Sequence, residues 1–205
     1  MMDEVKEKIL IEAENLFMRY GFKSITMDDV SRELGVSKKT LYLHFADKHD
    51  LVNQCVECHL ERMNQTCSHL IETKEDPIST LLAITEFNIQ QLQRVSQSSI
   101  YDLKKYFKGA WDKLMENRNQ FIYKSIKANL ELGMKKGLYR KELDPEVVGM
   151  IYIHLVSLVI DPANHRDSEM DLRKILLEIV SYHLNSVCTE KGREILDEKL
   201  KKIKK

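Results

Sequence analysis

The chain has 205 residues, 43% of them hydrophobic, and its 32 Lys and Arg are balanced by 32 Asp and Glu. That length is enough for one or two small domains with a proper core, and no apolar run reaches the roughly 18 residues of a membrane span. Seven Gly and three Pro, in a chain rich in Leu, Lys and Glu, favour an all-α protein over sheet or disorder. The opening MMDEVKEKIL is charged and amphipathic and lacks an apolar signal core, so a cytoplasmic location is expected.

The first helix is expected from about Asp3 to Tyr20, where Val5, Ile9, Leu10, Ala13, Leu16, Phe17 and Tyr20 recur at spacings of three and four. Gly21 ends it. Thr26 with Asp29 three residues later reads as a capping box that starts a second helix, Met27 to Leu34. Gly35 supplies the left-handed residue of a tight turn, and Ser37 caps a third helix, Lys38 to Phe45. On that third helix Leu41 and Phe45 face inward, four residues apart. Lys38, Lys39, Thr40, Tyr42, Leu43 and His44 remain to donate to phosphates and base edges, or to meet a thymine methyl. Two short helices about a Gly turn, the second with a donor-rich face, form a helix-turn-helix that reads DNA.

At these residues the sequence resembles the tetracycline-repressor-type (TetR) family of transcriptional regulators. Thr26 and the run VSxxxGVSxxTLYxHFxxKxxL from Val30 to Leu51 carry the likeness, and EKILIEAENLFMRYGFKSIT before it is similar to the family's first helix. Lys39 departs from the family, which often has Gly there. Helix geometry and the resemblance together place Lys39, Thr40 and Leu43 in the major groove. They place Thr26, Ser37, Lys38, Tyr42, His44 and Lys48 on phosphates of a double-stranded DNA operator. Charge alone argues less strongly, because residues 1–50 carry eight Lys and Arg against ten carboxylates. Affinity is then expected to depend on few phosphate contacts, doubled in a dimer.

Asp47 caps a long helix from Lys48 to about Thr73, and Asp76-Pro77 opens another, Ile78 to about Val95. After the polar break SQSS come helices from Ile100 to about Gly109 and from about Asp112 to Lys136. Asp144-Pro145 starts a helix that ends at Asp161-Pro162, and a further helix spans about Ser168 to Val187. The segment PEVVGMIYIHLVSLVI is apolar nearly all round and must be covered on two sides. Helices 145–160 and 168–187 from two chains would close a four-helix bundle, which is also where the resembled family dimerises. The division expected is a DNA-binding domain, 1–47, and an effector-binding and dimerisation domain, 48–205. The tail from Glu190 carries Leu196, Leu200 and Ile203 on one helical stripe.

Cys55, Cys58 and His59 share a helix in the pattern CxxCH. A soft metal, a redox switch or haem attachment are the chemical readings, and small core side chains are the plain one, so no metal or cofactor is assigned. The resemblance implies a small-molecule pocket in the body, for which Phe87, Tyr101, Tyr106, Phe107, Trp111, Phe121 and Tyr123 are the candidates. His154 and His183 lie on apolar faces and are expected as hydrogen-bonded interface residues. No nucleophile elbow, phosphate loop or metalloprotease signature occurs, so an enzyme is not expected. The expected function is a homodimeric transcriptional regulator, a repressor released by a small-molecule effector. The alternatives are a helical adaptor or nucleoid-organising protein of the same fold, and a Cys/His metal or redox sensor.

Overall fold

The computed structural model describes residues 4–161 and 171–203. In chain order the helices are α1 Glu4–Tyr20, α2 Met27–Glu33, α3 Lys38–His44, α4 Lys48–Thr73, α5 Pro77–Leu92, α6 Gln97–Tyr106 and α7 Lys108–Asn117. A π-helical turn, Arg118–Ile122, leads into α8 Tyr123–Lys135, followed by α9 Pro145–Ile160, α10 Leu172–Val187 and α11 Glu190–Ile203. No strand occurs among the described residues; the fold is all-α, with a single isolated bridge between Tyr139 and Cys188.

The described residues divide into two compact units. One holds the chain up to Asn64 together with Gln93–Asn117, and the other holds Gln65–Leu92 and the described part of Arg118–Lys205. In the first unit, α1 buries Ile9, Leu10, Ala13 and Phe17. At Gly21, φ is +91°, and an added Cβ would lie 3.0 Å from Asp102 Oδ2, so conformation and space both call for glycine. The last turn of α1 is held by α6. Ser99 is fully buried, and its hydroxyl lies 3.0 Å from the Phe17 carbonyl and 2.9 Å from that of Met18. The Ser96 amide also donates to the Met18 carbonyl at 3.1 Å. These bonds satisfy carbonyls that the end of a helix leaves without an intrahelical partner.

In the second unit the core is built from Ile78, Leu81, Leu130, Tyr139, Leu176, Val180, Leu184 and Leu196. Tyr139 is wholly buried, and its hydroxyl donates to Asn129 Oδ1 at 3.0 Å. Asn129 in turn donates to the Pro77 carbonyl at 2.8 Å. Gly133 admits the Tyr139 ring, since a Cβ there would fall 2.0 Å from Cδ2. The C-terminal tail forms α11, which seats Leu196 in this core.

Two expectations of the sequence are revised. The SQSS stretch is a cap rather than a break: the Ser96 side chain accepts from the Ser99 amide at 3.2 Å and starts α6 at Gln97. The helix expected from Asp112 to Lys136 starts earlier and is interrupted by the π-helical turn. A π turn inserts one residue into the helical register without any Gly or Pro to mark it. The expected start of α10 at Ser168 lies outside the described residues, and Asp171 caps the helix seen.

Candidate nucleic-acid interface

The turn between α1 and α3 follows its sequence cues closely. Thr26 Oγ1 accepts from the Asp29 amide at 3.1 Å, and Asp29 Oδ2 accepts from the Thr26 amide at 3.0 Å, the reciprocal pair of a capping box. Gly35 has φ +65°, and the Val36 amide donates back to the Ser31 carbonyl at 3.0 Å, which closes the helix. Ser37 Oγ accepts from the Thr40 amide at 3.0 Å and starts α3.

That geometry decides which face of α3 is free. Leu41 is 0% exposed and Phe45 1%, whereas Leu43 is 73% exposed and Tyr42 52%. Lys38 and Lys39 are also exposed, and Thr40 and His44 are half-buried. A short helix anchored by Leu41, with an ammonium, a phenol and an uncovered leucine outward, has the shape and donors of a major-groove reader. Not every expected phosphate ligand is uncommitted. Lys38 Nζ is ion-paired with Asp28 Oδ2 at 2.6 Å, and the Thr26 and Ser37 hydroxyls serve as caps. Lys48 is half-buried, donates to the Lys23 carbonyl at 3.0 Å and lies 5.5 Å from the Phe107 ring centre. Burial pushes its pKa down, while Asp102 and Asp29 pull the other way.

Residues 9–55 match the family of bacterial regulatory proteins of the tetR type. Residues 9–55 thus carry a tetR-type DNA-binding domain. It is 26% identical to the HTH-type transcriptional regulator YvaF of Bacillus subtilis over 189 residues, 90% of this chain and 96% of YvaF. It is 33% identical over 60 residues to the biofilm operon icaADBC negative transcriptional regulator IcaR of Staphylococcus aureus, 29% of this chain and 32% of IcaR. In fold it is similar to SmeT, solved as a complex with triclosan, with a TM-score of 0.70 and 17% identity over 92% of this chain and 93% of SmeT. The chain thus joins a tetR-type helix-turn-helix head to a helical body, the organisation of the transcriptional regulators it is similar to. No described helix is long and apolar enough to cross a membrane.

The cysteine–histidine group resolves into something other than a metal set. Cys55 is buried, with its thiol 3.5 Å from the Leu10 carbonyl, and Cys58 Sγ accepts from Arg62 at 2.9 Å. His59 Nδ1 lies 2.7 Å from Glu14 Oε1, and Arg62 pairs with the other carboxylate oxygen. Among the described residues no three or more His, Cys, Asp or Glu converge as metal ligands. Burial raises the pKa of Cys55, Cys58 and Cys67, which keeps them as thiols rather than reactive thiolates.

The aromatic candidates for a pocket fall in both units. In the first, Phe107 is buried, its ring 6.0 Å from Phe22 and 4.9 Å from His49, and Trp111 is buried under Lys104. Tyr101 is exposed and Tyr106 half-buried, each with a lysine ammonium above its ring. In the second, Phe87, Phe121 and Tyr123 are half-buried. Tyr123 lines an open, mainly apolar groove of about 460 Å³ with Val147, Met150, Ile153 and His154 of α9. His154 is exposed, and its Nδ1 lies 2.8 Å from the Met150 carbonyl. His183 corrects the expectation of a hydrogen-bonded histidine: it is buried edge-on to Tyr152, and its Nε2 has no partner among the described residues.

Several residues of this interface unit were not visible in the sequence. Glu14 and Asp102, whose carboxylate accepts the Lys23 amide at 2.9 Å, act through partners 45 to 79 residues away, and the Ser99 hydroxyl, besides its local bond to Ser96, reaches carbonyls 81 and 82 residues away. No local spacing announces these distant contacts.

Proposed function

We propose that this regulator is a homodimeric repressor that holds a palindromic operator through α3 and leaves it when a small molecule binds the body. The observation that carries the reading is the uncovered, donor-rich face of α3, held outward because Leu41 and Phe45 are buried. The division into a DNA-binding domain, 1–47, and an effector-binding and dimerisation domain, 48–205, belongs to the same reading. Repression is supported by the likeness to IcaR, a negative transcriptional regulator, and a small-molecule effector by the triclosan complex of SmeT.

Dimerisation is supported by the uncovered apolar stripe on α9. Val147, Met150, Ile151 and Leu158 are each 42 to 52% exposed, at helical spacing, and Leu177 of α10 is 43% exposed. Such a contiguous apolar face on a water-facing surface marks a contact surface. A two-fold dimer would present two copies of α3 to half-sites about one DNA turn apart. An effector then acts by preferring a state of the dimer whose heads no longer match that spacing, and its differential affinity for the two states limits the shift it causes. A cytoplasmic location, the expectation for a DNA-binding regulator, belongs to the same reading.

The roles on α3 are tested by comparing matched and single-mismatch operators. Lys39→Ala is expected to cost about 1–3 kcal/mol on the matched site and to blur preference at one base pair. Tyr42→Phe is expected to weaken all sequences alike. Equal losses for Lys39→Ala on matched and mismatched duplexes would remove its base-reading role.

A further inference from the structure

Two lysines of the first unit converge without an acid to receive them. Lys23, in the connection from α1 to α2, donates from Nζ to the Tyr106 hydroxyl at 3.3 Å and lies 4.8 Å from that ring's centre. Lys105 donates to the Tyr101 hydroxyl at 3.1 Å and lies 5.2 and 5.3 Å from the ring centres of Tyr101 and Tyr106. The Tyr106 hydroxyl thus accepts from Lys23 while Lys105 stands over its ring, and the two cations draw its pKa down. Among the described residues neither ammonium joins an ion pair. Asp102, beside them, accepts the Lys23 amide and faces Lys48.

Two like charges gathered on neutral phenols form an incomplete arrangement. Each tyrosine accepts from lysine, which leaves its own O–H to donate outward. Two ammonium groups and two phenolic hydroxyls are thus gathered in one cluster in which, among the described residues, neither lysine has a carboxylate partner. An anionic oxygen supplies the missing acceptor through charge-assisted hydrogen bonds. Position says which anion. Lys23 stands three residues before Thr26, within about 10 Å of chain, and its carbonyl receives Lys48 Nζ. Lys48 senses Asp29 of α2 and Asp102 of α6 together, so the cluster continues the edge of the reading head. The head itself is short of cations, with eight Lys and Arg against ten carboxylates in residues 1–50. DNA affinity rests on phosphate neutralisation, and α6 supplies part of what the head lacks.

We propose that Lys23, Lys105, Tyr101 and Tyr106 form a second phosphate-binding point, which grips duplex DNA just outside the half-site read by α3. This rests on the DNA-reading role of α3. It also gives Tyr101 and Tyr106 a task other than lining an effector pocket.

The test uses the full-length protein and the palindrome recovered by selection from random duplexes. One duplex is trimmed to the palindrome, and another is extended by about one helical turn, ten base pairs, on each side. Affinity is measured across salt concentrations for wild type and Lys105→Ala, whose side chain is exposed and whose unfolding midpoint should match wild type. On the extended duplex the variant's log–log salt slope is expected to fall by about 0.9 for each bound protomer. On the trimmed duplex the slope should be unchanged, and the ratio of matched to mismatched affinity should stay the same on both. An unchanged slope on the extended duplex overturns the proposal, as does an equal fall on both duplexes. Tight binding of inorganic phosphate, lost in Lys105→Ala while both DNA slopes hold, assigns the cluster to a small anion and also overturns it. If wild type selects no site at all, the DNA-reading role itself falls, and this inference with it.

Discussion

Replacing Glu14 by Gln should destabilise the unit that carries the reading head, and the structure sets the size of the loss. The Glu14 side chain is 12% exposed; it accepts from His59 Nδ1 at 2.7 Å on one oxygen and from Arg62 on the other. Gln keeps the volume and one acceptor but turns an NH₂ donor toward a donor and removes the charge. Hydrogen bonds to charged groups contribute about 1.5–3 kcal/mol. Here the partner side chains are 22 and 39% exposed, so solvent screening reduces the expected loss to about 1–2 kcal/mol. Burial pushes the Glu14 carboxyl up, but the hydrogen bonds and charges of His59 and Arg62 pull it further down, to a net value below the usual range. A depressed carboxylate stabilises the fold above its unfolded pKa of about 4.3, and that contribution is lost as pH falls through the lower folded value. Urea unfolding of wild type and Glu14→Gln should therefore show a lower midpoint for the variant at pH 7, with an unchanged slope. The two curves should converge as the pH is lowered below the carboxylate range. A variant as stable as wild type at pH 7, or a deficit that persists undiminished in acid, would refute the reasoning.

Thr26→Ala removes the side-chain half of the capping box and should cost about 1–2 kcal/mol, with most of the loss recovered by Thr26→Ser, as read from denaturant midpoints. Gly133→Ala places a Cβ 2.0 Å from a ring carbon of the wholly buried Tyr139. A loss of about 3 kcal/mol or more is expected, and a midpoint within error of wild type would contradict that packing. His183, buried without a partner for Nε2, has its pKa drawn down to about 4 by burial. The unfolded chain then binds a proton that the native chain refuses, so stability should fall by on the order of 3 kcal/mol as pH drops from about 6.5 to 4. His183→Phe should flatten that dependence between pH 7 and 4.5, and an identical slope in wild type and variant would exclude His183 as its source.

The head was legible from the sequence because its determinants are local. A capping box closes over three residues, Gly35 and Ser37 act within one turn, and the four-residue spacing of Leu41 and Phe45 states which face is buried. Helix α9 declared itself through composition, with Asp144 and Pro145 marking its start. What the sequence concealed depends on distant partners or on register. Ser99 holds the end of α1 from 81 and 82 residues away. Glu14 turns His59 and Cys58 from apparent metal ligands into parts of an ion-pair cluster. The π-helical turn at Arg118–Ile122 changes helical phase without a breaker residue. Periodicity likewise does not show that Lys23 lies over the Tyr106 ring of α6.

The central claim is that α3 reads DNA, and the most direct measurement is selection of bound sequences from random duplexes at stated salt, with the size of the complex determined alongside. The account predicts recovery of a palindrome occupied by two chains, with enrichment lost when Lys39, Tyr42 and Leu43 are changed together to Ala. Recovery of no sequence above background, by protein shown to be folded, would contradict it.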